Sequence, residues 1–466
     1  MSSPPRKMAR TPLRWAVVLL AAVGMSRATD PPLPAIPLLP PAALPPMPTV
    51  VQPDPKTKKP DAALDQAGKE KADKASPPWK AWQPPGRAVT LAECLAVAAR
   101  RQPAVLAAQH SLAAAERGYL ALLNVNRTAE FFRPDLPIRR HQALRGIAAM
   151  TAEVRKAMQE GVWDTTRVYF EYVRATQQEQ TATDIVDQLE VFYRVAEGLL
   201  EAGIPRAKLN RFTIYALGDA IAKVRELREK AGYGRRLAVA ALAEAMGLEA
   251  GEQVYPTATN LPVMGGAVTE EQVVGYALAV RPELVQAAVL VDLSRLEVAA
   301  QDAVRHRQSV PTYASGGDLH AKMLPAPVRN GEYRPGAVPP EMPATLVGKR
   351  EDRVARAAEL SLRMDEVYRK AENLTRLDAV KAYLEWKATG ERMEAAEKRF
   401  ERGKRLAEES RSAAATREDP QLLVQNEGLA FEAQAAYVEA VYEHLKALMT
   451  LERVTAGQVK AGFADR

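Results

Sequence analysis

The sequence predicts a mainly α-helical protein built from two repeats of long coiled-coil helical hairpins. Three observations carry that expectation. A short motif recurs at a constant offset. Each copy leads into a long segment nearly free of proline, with apolar residues at heptad spacing. Aromatic residues make up only 6% of the 466 residues while alanine-rich stretches recur, which favours helices over a β-sandwich. With 47% hydrophobic and 26% charged residues the chain can bury a large core, so disorder along its whole length is excluded.

Residues 1–28 read as an export signal peptide. Arg6, Lys7, Arg10 and Arg14 precede an apolar run from Trp15 to Met25. That run is shorter than the ~20 residues a spanning helix needs. Ser26-Arg27-Ala28 puts small residues at the cleavage positions. This segment holds five of the 64 basic residues and no acid, so the remainder is nearly balanced by 57 acidic residues. The net charge of +7 therefore gives no reason to expect a nucleic-acid partner. Cys94 is the sole cysteine, which excludes an intrachain disulfide and a cysteine-cluster metal site.

Residues 29–88 hold 16 of the 34 prolines, too many for a packed core. Proline removes backbone donors and fixes φ, so the segment reads as an extended tether without a fold of its own. The hairpin domain is expected over 89–457, with repeats at about 89–250 and 268–457, and 458–466 as a tail.

The repeat begins with Val89-Thr90-Leu91-Ala92-Glu93 and Pro103, echoed by Val268-Thr269-Glu270-Glu271-Gln272 and Pro282. Each Thr reads as a helix N-cap, with an acid or amide three residues later completing a capping box. Each Pro reads as the first residue of the next helix. Long helices follow. Ile185, Leu189, Phe192, Ala196 and Leu199 step by 4, 3, 4, 3, as do Leu360, Met364, Val367, Ala371 and Leu374. Phe431, Ala435, Val438, Tyr442, Leu445 and Met449 continue that spacing in the last helix. A 3.5-residue period gives a narrow seam and a left-handed supercoil. The first long helix is expected over about 147–202. Gly203-Ile204-Pro205 and Asp419-Pro420 then mark the turns of two hairpins.

This pattern resembles the TolC-like outer-membrane efflux proteins. The residues that carry the resemblance are Val89 to Leu95 with Pro103, the echo at Val268 and Pro282, and Tyr169-Phe170-Glu171-Tyr172. Leu200 to Gly203, Ala240 to Leu248, Tyr437 to Tyr442 and Ala447 to Thr455 add to it, so that it covers about 89–457. The resemblance implies a homotrimer at the outer membrane or in the periplasm of a Gram-negative-type cell. It implies passive export with a periplasmic adaptor and an inner-membrane pump, no catalysis and no cofactor. It also implies barrel strands in the crossover between the second helix and the long helix of each repeat. The hairpin tips would touch the adaptor, which points to Gly203, Ile204, Pro205 and Leu209, and to Thr416, Asp419, Pro420 and Leu422.

The crossovers themselves read as irregular loops. The first, about 124–146, contains Arg127, Arg133, Pro134, Pro137, Arg139, Arg140 and Arg145. The second, about 304–350, contains seven prolines, and a proline inside a strand removes a ladder bond. Two readings stay open: a periplasmic hairpin scaffold that has lost the barrel, or very short strands closing a shallow rim. Both crossovers are basic, and Arg133, Arg139, Arg140, Arg329 and Arg334 are candidates for contact with an anionic lipid surface. Asp318 and His320 lack further ligands at metal-binding spacing. Tyr169, Phe170, Tyr172, Phe192 and Tyr193 read as seam and core, and Cys94 as a buried small hydrophobe.

Overall fold

The computed structural model describes residues 82–126, 128–201, 211–316, 342–414 and 420–462. The signal peptide, the tether up to residue 81, and the expected tip residues Gly203, Ile204, Pro205, Leu209, Thr416 and Asp419 lie outside the described residues, as do Arg329 and Arg334.

The first repeat runs β1 (Arg87–Val89), α1 (Leu91–Arg101), α2 (Pro103–Asn124), α3 (Thr128–Phe132), α4 (Leu136–Glu201) and α5 (Arg211–Ala245). The second runs β2 (Val254–Pro256), α6 (Glu270–Val280), α7 (Pro282–Ala303), β3 (Ser309–Pro311), β4 (Thr345–Val347), α8 (Arg350–Ala414) and α9 (Pro420–Val454). Counterparts match in length. α1 and α6 each have 11 residues, α2 and α7 each 22, and α5 and α9 each 35. The long helices α4 and α8 have 66 and 65. At about 1.5 Å per residue each spans roughly 100 Å.

The helix starts follow from the sequence. The Glu93 amide donates to Thr90 Oγ1 at 3.2 Å while the Thr90 amide donates to the Glu93 carboxylate at 2.9 Å. Thr269 and Gln272 repeat this box. Pro103 and Pro282 open α2 and α7, where a missing N–H costs nothing.

α4 pairs with α5, and α8 with α9, as two hairpins; α4 and α9 pack together, leaving α5 and α8 at the edges of the layer. The seams are buried as the heptads require. Leu189 and Ala196 on α4 and Met364, Val367, Ala371 and Leu374 on α8 lie below 5% exposure. The largest core gathers Val89, Leu91 and Cys94 with Val168, Tyr169, Tyr172 and Val173 of α4, Leu242 of α5 and Tyr442 and Leu445 of α9. Cys94 is fully buried in this core, and burial pushes its thiol up to about 12, which disfavours the reactive thiolate.

Two expectations change. α4 begins at Leu136, some ten residues before its expected start, so the first crossover is largely helical. Its prolines sit where helices tolerate them: Pro137 is in the first turn of α4, where no intrahelical N–H bond is lost. The last residues assigned to the tether pack on the domain. The Trp82 carbonyl accepts a hydrogen bond from Arg235, whose guanidinium lies 5.1 Å from the Trp82 ring centre. The second crossover carries strands of three residues, as the short-strand reading expects, with β3 pairing antiparallel to β4. β1 and β2, which open the two repeats, pair in parallel.

Candidate functional site

The two crossovers are bound to each other by a polar network inside the helical body. Arg139, in the first turns of α4, donates to Glu297 of α7 through both terminal nitrogens, at 2.5 and 3.1 Å. It also donates to Asp135 at 3.3 Å and to the Pro311 carbonyl of β3 at 2.6 Å. Glu297 is fully buried and accepts further bonds from Gln142, Gln301 and the Tyr313 amide. Gln301 in turn accepts from Arg353 of α8 at 2.7 Å, and Arg353 donates to the Val304 carbonyl at 2.7 Å. Buried charge is tolerable only when paired and fully bonded, as Glu297 is here. Burial, then the Glu297 charge, pushes the Tyr313 phenol above its ordinary value. The result is a rigid clamp joining α4, α7, β3 and α8.

Arg140 is engaged nearby. It donates to the Leu122 and Val125 carbonyls at 2.9 and 3.1 Å and pairs with Glu130 at 2.5 Å. It thereby satisfies orphan carbonyls at the end of α2, where the helix dipole is negative. Arg139 and Arg140 are thus internal fasteners, with side chains 12% and 19% exposed, and are not free to meet an anionic surface. Of the described arginine candidates only Arg133 stands half exposed, 3.4 Å from Asp135. Pro420 opens α9 and Leu422 lies in its first turn.

Sequence reading missed the clamp, because Glu297, Gln301 and Arg353 look like ordinary helix residues. It also passed over Phe131 and Phe132, which stand 86% and 74% exposed on α3. Two adjacent phenylalanines among prolines and arginines were the available signal. A separate cleft of about 670 Å³ lies between α4 and the end of α9, floored by Met158, Val162, Trp163 and Met449. No group of three or more His, Cys, Asp or Glu among the described residues could hold a metal ion.

No single described helix is long and apolar enough to cross a membrane. The bent pair α6–α7 meets the length and composition test, but Leu284, Ala287, Leu290 and Leu293 of α7 are buried in the body. In the first crossover the described residues between α2 and α4 are α3 and short turns, leaving no room for a strand of the ~9–11 residues that spans a bilayer.

No family model matches this sequence, and no curated protein matches it. Solved structures do. A membrane protein from Pseudomonas aeruginosa superposes with a TM-score of 0.62 at 11% identity, over 81% of this chain and 99% of that one. The open state of the MtrE outer membrane channel of Neisseria gonorrhoeae gives 0.60 at 14%, over 80% and 90%. The outer membrane protein VceC of Vibrio cholerae gives 0.58 at 11%, over 79% and 96%. The chain therefore has the fold of the outer-membrane efflux channels. The fold is TolC-like, with two duplicated helical hairpins, and no closed barrel occurs among the described residues.

Proposed function

We propose that the protein is a passive export conduit of the cell envelope, working as a ring of identical chains between an inner-membrane pump with its periplasmic adaptor and the outside. The observation that carries this reading is the paired-hairpin fold, shared with outer-membrane channels over nearly their whole length. The edges of the layer support the ring. α5 exposes Phe212, Tyr215, Tyr233 and Leu237, and α8 exposes Leu362 and Leu384. Apolar side chains on two different edges suit a head-to-tail contact between copies, which forms a ring where the rotation between copies closes. The adaptor would meet the hairpin turns around Gly203 and Asp419, and the reading involves no catalysis.

A second reading is favoured by one observation. The first crossover is helical where a bilayer-spanning strand would be needed. On that basis the chain would be a periplasmic hairpin scaffold that lacks the barrel. Membrane fractionation separates the two. Resistance to carbonate extraction, with an oligomer that dissociates only on heating, supports the conduit. Release of the chain into the soluble fraction supports the scaffold.

A further inference from the structure

We propose that Phe131 and Phe132 form a wedge that inserts into a lipid surface and anchors the crossover end at the membrane. This concerns how that end meets lipid and stands apart from whether a passage is open.

The rings are 86% and 74% exposed and meet edge to face, with centroids 5.4 Å apart. Bulky apolar rings in water are unfavourable, and adjacent ones this exposed mark a contact surface. They are not isolated. Leu120 and Leu123, on the last turns of α2, are 55% and 44% exposed. Arg140 holds that end of α2 against the start of α4 by its bonds to the Leu122 and Val125 carbonyls. The apolar side chains therefore stand on a braced support.

Charge selects lipid as the occupant. Both described carboxylates of this crossover are neutralised, Glu130 by Arg140 and Asp135 by Arg133 and Arg139. Among the described residues of this crossover no acid is left unpaired beside the rings. Arg133, next to Phe132, pairs with Asp135 at 3.4 Å and keeps its side chain 47% exposed, which leaves its remaining N–H donors open to a lipid phosphate. Apolar rings flanked by arginine and free of bare carboxylate match the requirements of an interfacial anchor, in which apolar burial binds and cationic contact adds to it.

The test uses the chemistry of the chain itself. Cys94 is fully buried and is the only cysteine, so Phe132→Cys in the full chain offers one accessible thiol for an environment-sensitive fluorophore. Vesicles of phosphatidylcholine with anionic phosphatidylglycerol should shift its emission to the blue, and nitroxide-labelled lipid should quench it. The same label at Glu229→Cys, on exposed α5, should do neither. In a flotation assay the Phe131→Ser/Phe132→Ser double variant should bind such vesicles on the order of tenfold more weakly, or worse. Its thermal melt should be unchanged, because both rings are exposed. Flotation of the double variant equal to the original protein would overturn the proposal. So would a blue shift that rises with protein concentration in the absence of vesicles, which would assign the rings to a contact between copies.

Discussion

Arg139 and Glu297 lie 158 residues apart in the chain and meet in a two-pronged ion pair at the crossover end. Glu297 is fully buried, so its carboxylate depends on Arg139 and on the Gln142, Gln301 and Tyr313 donors. Glu297→Ala leaves Arg139 largely buried without its main counter-charge. Breaking a buried pair from one side costs about 3–5 kcal/mol. Urea titration of helicity should show an unfolding free energy lowered by that amount, read as the midpoint shift times the slope of the transition. Replacing both residues by methionine should recover part of the loss.

Gly247 ends α5 at φ +66°, and a Cβ there would stand 2.5 Å from the Arg101 carbonyl oxygen. Gly247→Ala should therefore destabilise by about 2 kcal/mol or more, since the left-handed conformation alone costs roughly 1–2 kcal/mol. At the end of α9 the second repeat places Ala456 in a similar left-handed turn, at φ 53°. Ala456→Gly should stabilise by up to about 1 kcal/mol. Thermal melts of the two variants should move in opposite directions.

Tyr442 of α9 donates to Glu171 of α4 at the joint between the two repeats, where Arg174 also bridges to Glu439 at 2.6 Å. Burial alone would raise the Glu171 carboxyl, but the Tyr442 hydroxyl and Arg174 outweigh it and hold it below the usual range. Tyr442→Phe removes a hydrogen bond to a charged acceptor, worth about 1.5–3 kcal/mol. Native-state hydrogen exchange should quicken around Glu171 in α4 and Tyr442 in α9 and leave the start of α4, at the Glu297 clamp, protected.

His444 is buried, with Nε2 3.2 Å from the Met264 carbonyl and Nδ1 3.3 Å from Thr389 Oγ1. Burial draws its pKa below the ordinary 6.5. Below that value the unfolded chain takes up a proton that the folded chain resists. Stability is therefore full above 6.5 and falls as pH drops through the window beneath it. Denaturation midpoints compared at about pH 7.5 and pH 5.5 should differ. In His444→Gln the contribution of this group should vanish.

The helical frame was readable because its causes are local. Capping pairs three residues apart, N-terminal prolines and heptad seams lie within short windows, and the recurrence of Thr90 and Pro103 at Thr269 and Pro282 exposes the duplication. The crossovers were not, because their order comes from distant partners. The arginines at 139 and 140 look like solvated cations until Glu297 and the end of α2 are brought beside them. Counting charges along the crossover also hid its apolar feature, the exposed rings at 131 and 132. Arg139, Arg140 and Arg145 share one helix, and each is matched there by an acid, Glu297, Glu130 and Asp292, which offsets the repulsion of a run of like charges.

The most direct test of the conduit is conductance. The purified oligomer is added to a planar lipid bilayer under an applied potential. Discrete, uniform conductance steps from the original protein are predicted. A folded, membrane-bound oligomer that passes no current would contradict the account.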